Sequence, residues 1–130
     1  MAEMSDYLER SLLNATLNNT AFTTVATPYI SLHTADPTDA GTGTEVSGGS
    51  YVRKAASFAT ASGTGGSVAT DADVTFDAAT ASWGTVTHIG IWNDSSGGDL
   101  LYHTALDSSK TIDTGDIFKI TSGNLTVTLA

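Results

Sequence analysis

Between Trp83 and Leu106 the chain reads WGTVTHIGIWNDSSGGDLLYHTAL. Val86, His88, Gly90 and Trp92 alternate there with Thr87, Ile89, Ile91 and Asn93, the period of two that a strand requires. Asn93 to Asp99 is a run of turn chemistry, with glycines for positive φ and Asn and Asp to cap the backbone. Leu100, Tyr102, Thr104 and Leu106 then resume the alternation, so the stretch predicts a β-hairpin. An isolated hairpin is marginal in water, and the remaining strands must supply a second layer.

Read in order, the chain predicts one helix, over Ser5 to Asn19. Ser5 is a capping residue, Glu3, Asp6 and Glu9 suit the positive end of a helix dipole, and Asn18-Asn19 suits a left-handed stop. Met4, Leu8, Leu12 and Ala15 recur at helical spacing, with Leu13 and Leu17 widening the apolar stripe. Such a helix either lies across the open side of a sandwich or serves as an arm that docks on a partner. Tyr29 to Thr34 is the first strand expected. Ala35 to Ser50, ADPTDAGTGTEVSGGS, is a loop longer than the roughly 12–15 residues usual for a structureless connection. Tyr51 to Phe58 returns to alternation, and adjacent Arg53 and Lys54 must face opposite sides. Further strands are expected around Ala72–Phe76, Thr111–Ile112, Ile117–Ile120 and Leu125–Leu129. Turns are expected at Ala59–Ser67, Asp77–Ser82, Ser108–Lys110, Thr114–Asp116 and Ser122–Asn124.

The fold class expected is mainly β: a β-sandwich or jelly roll of about eight short antiparallel strands with one N-terminal α-helix. Residues 1–130 form a single domain in this reading, the helix covering about residues 5–19. Leu8, Leu12, Ile89, Ile91, Leu101, Ile117, Phe118, Leu125 and Val127 are the expected core. The Ile89/Ile91 face of the hairpin is taken as inward because the opposite face carries His88 and Gly90.

Composition narrows the function classes. Five Lys and Arg against fourteen Asp and Glu give a net charge of −9, which argues against nucleic acid, since phosphate contacts need cations. With no cysteine, disulfides and thiolate metal sites are excluded. No apolar run approaches a membrane span, and no basic n-region precedes an apolar one, so neither a membrane partner nor an export signal is expected.

Catalytic and ligand motifs are missing. His33, His88 and His103, with Asp36, Asp94 and Asp99 as possible oxygen donors, match no metal-ligand spacing, and a structural or surface role is the expected one. No G-x-S-x-G elbow is present for serine hydrolysis. Gly41-Thr42-Gly43-Thr44 lacks the helix and the Lys of a phosphate loop, and Asp71–Asp73 and Asp36–Asp39 lack EF-hand spacing. Trp83 and Trp92 read as core or sheet-face residues, with a sugar-stacking platform as the sharper alternative. The chain is therefore expected to have no enzymatic activity, no cofactor and no bound metal.

Four segments carry a resemblance: PYISLHTADPTDAGTGTEVSGGSYVRKAASF (Pro28–Phe58), ASWGTVTHIGIW (Ala81–Trp92), GGDLLYH (Gly97–His103) and GNLTVTL (Gly123–Leu129). Together with the leading helix they resemble a family of small tailed-bacteriophage virion proteins often labelled tail fibre-like. The resemblance implies a structural virion protein. The chain has no shaft, heptad or repeat, so the leading expectation is a capsid cement (head decoration) protein on the outer capsid surface. The alternative is a tail fibre or tail-tip protein that recognises the host. Expected partners are the major capsid protein and copies of the chain itself as a homotrimer. Met1, Met4, Tyr7, Asp36, Pro37, Thr38, Thr42, Thr44, Val46 and Tyr51 are the expected assembly residues. They lie in two segments poor in core formers, which an external partner is expected to order. The contact is expected to depend weakly on salt, because opposite charges are scarce there.

Overall fold

The computed structural model of the protein describes residues 2–129. Its elements are β1 (Glu3–Met4), α1 (Asp6–Leu17), β2 (Tyr29–His33), β3 (Lys54–Ala55), β4 (Gly66–Ala69) and β5 (Val74–Thr75). They continue with β6 (Gly84–Trp92), β7 (Leu100–Ile112), β8 (Lys119–Ile120) and β9 (Thr126–Leu129). A five-stranded sheet runs in the order β1-β7-β6-β2-β3, and β4-β9 and β5-β8 form two-stranded ribbons. Every pairing between these strands is antiparallel. The result is a small β-sandwich with one helix, as the alternation predicts.

The β6–β7 hairpin is the centre of the sheet. Ile30 stands opposite Ile91, and Leu32 opposite Ile89. All four are buried, and they join Val74 and Val127 of the ribbons, with Phe76, Phe118 and Leu125 at the ribbon ends, in one core. Tyr51, Phe76, Trp83 and Phe118 pack ring on ring in that core. Tyr51 meets Trp83 edge-on at 5.5 Å between centroids, and Phe76 meets Phe118 edge-on at 5.7 Å. Such edge-to-face pairs add to the area they bury.

The helix is two residues shorter than expected at its C-terminal end. Ser5 accepts a hydrogen bond from the Leu8 N–H and donates to the Leu100 carbonyl, so the cap also ties α1 to β7. The Asn18 N–H closes onto the Asn14 carbonyl, and Asn19 takes φ 52° to end the helix. Leu8 is buried and Leu12 partly so, but Leu13 and Leu17 are 56% and 74% exposed. The stripe therefore does not widen: a 100° rotation per residue carries Leu13 and Leu17 to the outer face.

Four other expectations fail. Ile117 is 58% exposed while Phe118 is 7% exposed, because neighbours in extended chain point to opposite sides and only one can be inside. Tyr51–Phe58 is mostly irregular: Lys54–Ala55 pairs with Tyr29 and Ile30, and Phe58 forms an isolated bridge to Thr70. Ser108–Lys110 is not a turn but part of the 13-residue β7. There the register shifts between Val86↔Lys110 and His88↔Ala105, so Leu106–Ser109 stand opposite Thr87 alone. The turn chemistry of Ser108-Ser109 is realised as a bulge in a continuing strand. The expected Ala59–Ser67 turn ends early, where β4 begins at Gly66.

Candidate functional site

The other face of the five-stranded sheet carries most of the unusual chemistry. Period-two alternation places Trp92, Gly90 and His88 on that side of β6, and Ser31 and His33 of β2 stand opposite Gly90 and His88. On β7, His103 stands opposite Gly90 in regular register, and the bulge between Ile91 and Trp92 puts Leu100 opposite Trp92. All three histidines thus fall on one face. His33 and His88 are cross-strand partners, a relation the sequence reading did not draw.

Residues 35–46 cover this face. Pro37 is buried, and its carbonyl accepts from the N–H groups of Thr42 (2.8 Å) and Gly43 (3.2 Å). Gly41, at φ 71°, sits against Leu100 and Trp92, and a Cβ there would lie 3.2 Å from Leu100 Cβ. The chain then returns along β2: the Thr34 N–H donates to the Thr44 carbonyl (3.0 Å) and the Val46 N–H to the Leu32 carbonyl (2.9 Å). Thr34 and Thr44 hydroxyls share a 2.7 Å hydrogen bond. The loop is therefore held by hydrogen bonds within its own chain.

Beneath that cover, Trp92 Nε1 donates to Ser31 Oγ (2.7 Å), which is 2.7 Å from His33 Nε2. Indole is a donor only, so Ser31 Oγ accepts from Trp92, and the direction of its second bond, to His33 Nε2, is set by the imidazole tautomer. Nδ1 is buried, and the Gly43 backbone interacts with the imidazole. Burial pushes the His33 pKa down, against the pull of nearby Glu45.

Arg53 seals the end of the face. Its guanidinium carbon lies 3.9 Å from the Trp92 ring centroid. Nε and Nη2 grip Glu45 Oε2 and Oε1 at 2.9 Å each, and Nη1 donates to the Gly97 (2.8 Å) and Asp94 (3.1 Å) carbonyls of the hairpin turn. Tyr51 OH donates to Glu45 (2.6 Å) and accepts from the Leu32 N–H. Burial alone would raise the Glu45 pKa, but the hydrogen bonds from Arg53 and Tyr51 outweigh it and hold the carboxyl low. Burial and Glu45 together push the Tyr51 pKa up. Trp92 is only 8% exposed under this cover, which leaves no open platform for a sugar ring. Trp83 lies in the core, donating to the Gly49 carbonyl at 2.9 Å.

Beside this lies a second polar cluster. His103 is buried, with Nε2 2.8 Å from Asp39 Oδ1 and 3.7 Å from Glu3 Oε2, and Nδ1 3.4 Å from Asp36 Oδ1. Of the acids considered with the histidines, only Asp36 arrives. Asp94 and Asp99 belong to the hairpin turn, where the Asp99 N–H donates to Asn93 Oδ1.

The expected assembly residues divide sharply. Pro37 and Val46 are buried, and Tyr51 points inward with its hydroxyl on Glu45. Met4 is paired in β1 opposite Tyr102, and Tyr7 packs half-buried against the core. Asp36, Thr38, Thr42 and Thr44 are exposed. Met1 lies outside the described residues. Residues 3–7 form an edge strand, a cap and a helix start, so they are built into the domain and do not form a free arm. Arg53, Glu45 and Glu3 are not among the site residues expected from the sequence. The parity of His88 and His103 in two alternating strands was the available signal for a shared face; the acids that join them come from distant segments.

The family model described as Podophage GP4 fiber I protein gp80 matches residues 3–128. The chain belongs to this family. It is a structural, fibre-related protein of the tailed-phage virion. The match runs from β1 through β9, so the covering loop, the Arg53 clamp and the His103 cluster all lie within it. No curated protein matches the chain.

Proposed function

We propose that this chain is a component of a phage fibre, joined to the virion and to copies of itself through the outer face of α1. The observation that carries the reading is the pair Leu13 and Leu17, one helical turn apart and 56% and 74% exposed, in a fibre-family protein. A single exposed leucine is ordinary. Two at i and i+4 form a stripe, and a partner surface covering it gains about 25 cal/mol for each Å² of apolar area removed from water. Closed self-association, a trimer being the form expected, and docking on a larger virion protein both use such a stripe. The reading assigns the chain no enzymatic activity and neither nucleic acid nor membrane as partner.

Head decoration is the second reading, and one observation favours it: the chain has no heptad or repeat from which to build a shaft. A cement role would place it on the outer capsid, against the major capsid protein.

Quantitative mass spectrometry of purified virions, with gold-labelled antibody, distinguishes the two. A few copies at the tail or fibre support the first reading, and hundreds spread over the head replace it with the second. The double variant Leu13→Gln/Leu17→Gln, which should alter fold stability by no more than about 0.5 kcal/mol, is expected to reduce incorporation. Full incorporation would remove the helix face from the attachment mechanism.

A further inference from the structure

We infer that His103, Glu3 and Asp39 form a binding site for one divalent transition-metal ion of the zinc class. One ligand atom from each of the three residues lies within 4.8 Å of the other two. Glu3 stands directly opposite His103 in the β1–β7 register. Asp39 is brought over the same ring by the covering loop, whose Asp39 carbonyl is fixed by the Asp6 N–H at 3.0 Å.

The imidazole makes the argument sharper than a cluster of acids would. Both ring nitrogens of a 3% exposed histidine face carboxylate oxygens. A neutral imidazole has one N–H and one lone pair. It can serve Asp36 or Asp39, and the other nitrogen then points its lone pair at an anion. A metal ion on that lone pair would take both carboxylates of the Nε2 side, Asp39 and Glu3, as further ligands. Nδ1 lies 3.4 Å from Asp36 Oδ1, and in the tautomer that carries its proton there the Nε2 lone pair is available on the side of Asp39 and Glu3. A carboxylate on the far nitrogen is the usual device for orienting a metal-bound histidine.

Spacing agrees with this. Two donors about 2.0–2.1 Å from a tetrahedral ion are about 3.3 Å apart. The Nε2–Asp39 separation of 2.8 Å and the Nε2–Glu3 separation of 3.7 Å bracket that value, and the Glu3 and Asp39 oxygens lie within 4.8 Å of each other. The Glu3 and Asp39 side chains are 70% and 50% exposed, which provides entry and leaves the fourth position to water. One nitrogen with two carboxylates suits zinc better than calcium or magnesium, which prefer all-oxygen sets with six or more ligands. A bound ion would join β1, the loop and β7, segments far apart in sequence, and so stabilise the folded state by mass action.

The test is titration of EDTA-treated full-length protein with zinc chloride, read by calorimetry and by thermal melting, with calcium chloride in parallel. Uptake of one equivalent of zinc, a rise in melting temperature, and at least tenfold weaker binding in Glu3→Gln/Asp39→Asn are expected. Circular dichroism checks that the double variant is folded, and each single variant serves if it is not. No zinc uptake at millimolar concentration would overturn the inference. So would affinity unchanged by the substitutions, which would put the ion on another histidine, and so would calcium binding as tight as zinc.

Discussion

The Arg53 guanidinium lies over the Trp92 indole, 3.9 Å from carbon to centroid, while its nitrogens grip Glu45 and two carbonyls of the hairpin turn. One side chain thus holds the covering loop, the return segment and the central hairpin together. The Arg53 side chain is 7% exposed, so solvent screens these contacts little. Lysine is no substitute here, because it has neither the planar fork nor the stacking face. Arg53→Lys should lower unfolding free energy by about 1–3 kcal/mol, the range for losing hydrogen bonds to a buried charged group. Urea denaturation measures it, and an unchanged midpoint would show that the clamp adds nothing to stability.

Gly90 is where the covered face is tightest. A Cβ there would lie 2.7 Å from Ser31 Oγ and 2.9 Å from both Trp92 Nε1 and Leu100 Cδ1. Gly90→Ala should destabilise by about 1–3 kcal/mol through overpacking, although alanine suits a strand better than glycine. A stabilised Gly90→Ala protein in thermal melts would mean that the Trp92–Ser31–His33 chain yields without cost.

Ile91 tests the opposite face. It is 3% exposed, opposite Ile30 on one side and Tyr102 on the other. Ile91→Ala should cost about 2–5 kcal/mol. A loss below half a kcal/mol in chemical denaturation would place the core elsewhere.

Acid should weaken the fold in two stages. Burial holds the His33 pKa below its unfolded value, so the unfolded chain binds the proton first. Stability is then complete above about pH 6.5 and falls as the pH drops below it. The Arg53 and Tyr51 hydrogen bonds hold Glu45 low despite its burial. Its contribution is present above the ordinary carboxylate range and is lost below about pH 4. Denaturation midpoints measured from pH 8 to pH 3 should trace both declines. In His33→Gln, which keeps an acceptor for Ser31, the upper decline should shrink; an unaltered profile would assign it to another group.

Much of the fold was legible in the sequence because strands and helices write their burial into local spacing. The Trp83–Leu106 hairpin, the Ser5 cap, the inward choice of Ile89 and Ile91, and the turns at Thr114–Asp116 and Ser122–Asn124 each depend on a few neighbouring residues. The resemblance carried by Pro28–Phe58 and the hairpin likewise pointed to the phage virion family. Other features depended on what lies across space. Ser108–Lys110 became strand because β6 offered a partner down to Gly84, and Leu13 and Leu17 turned outward because the sheet takes only one face of α1. The Ala35–Ser50 loop looked unanchored, since glycine and threonine carry no periodic signal. Its anchors, Arg53, Trp92, Leu100 and His103, lie on segments that only the tertiary fold brings beneath it. The same holds for Glu3, Asp39 and His103: local pattern decides which face a side chain takes, but long-range pairing decides which charges meet there.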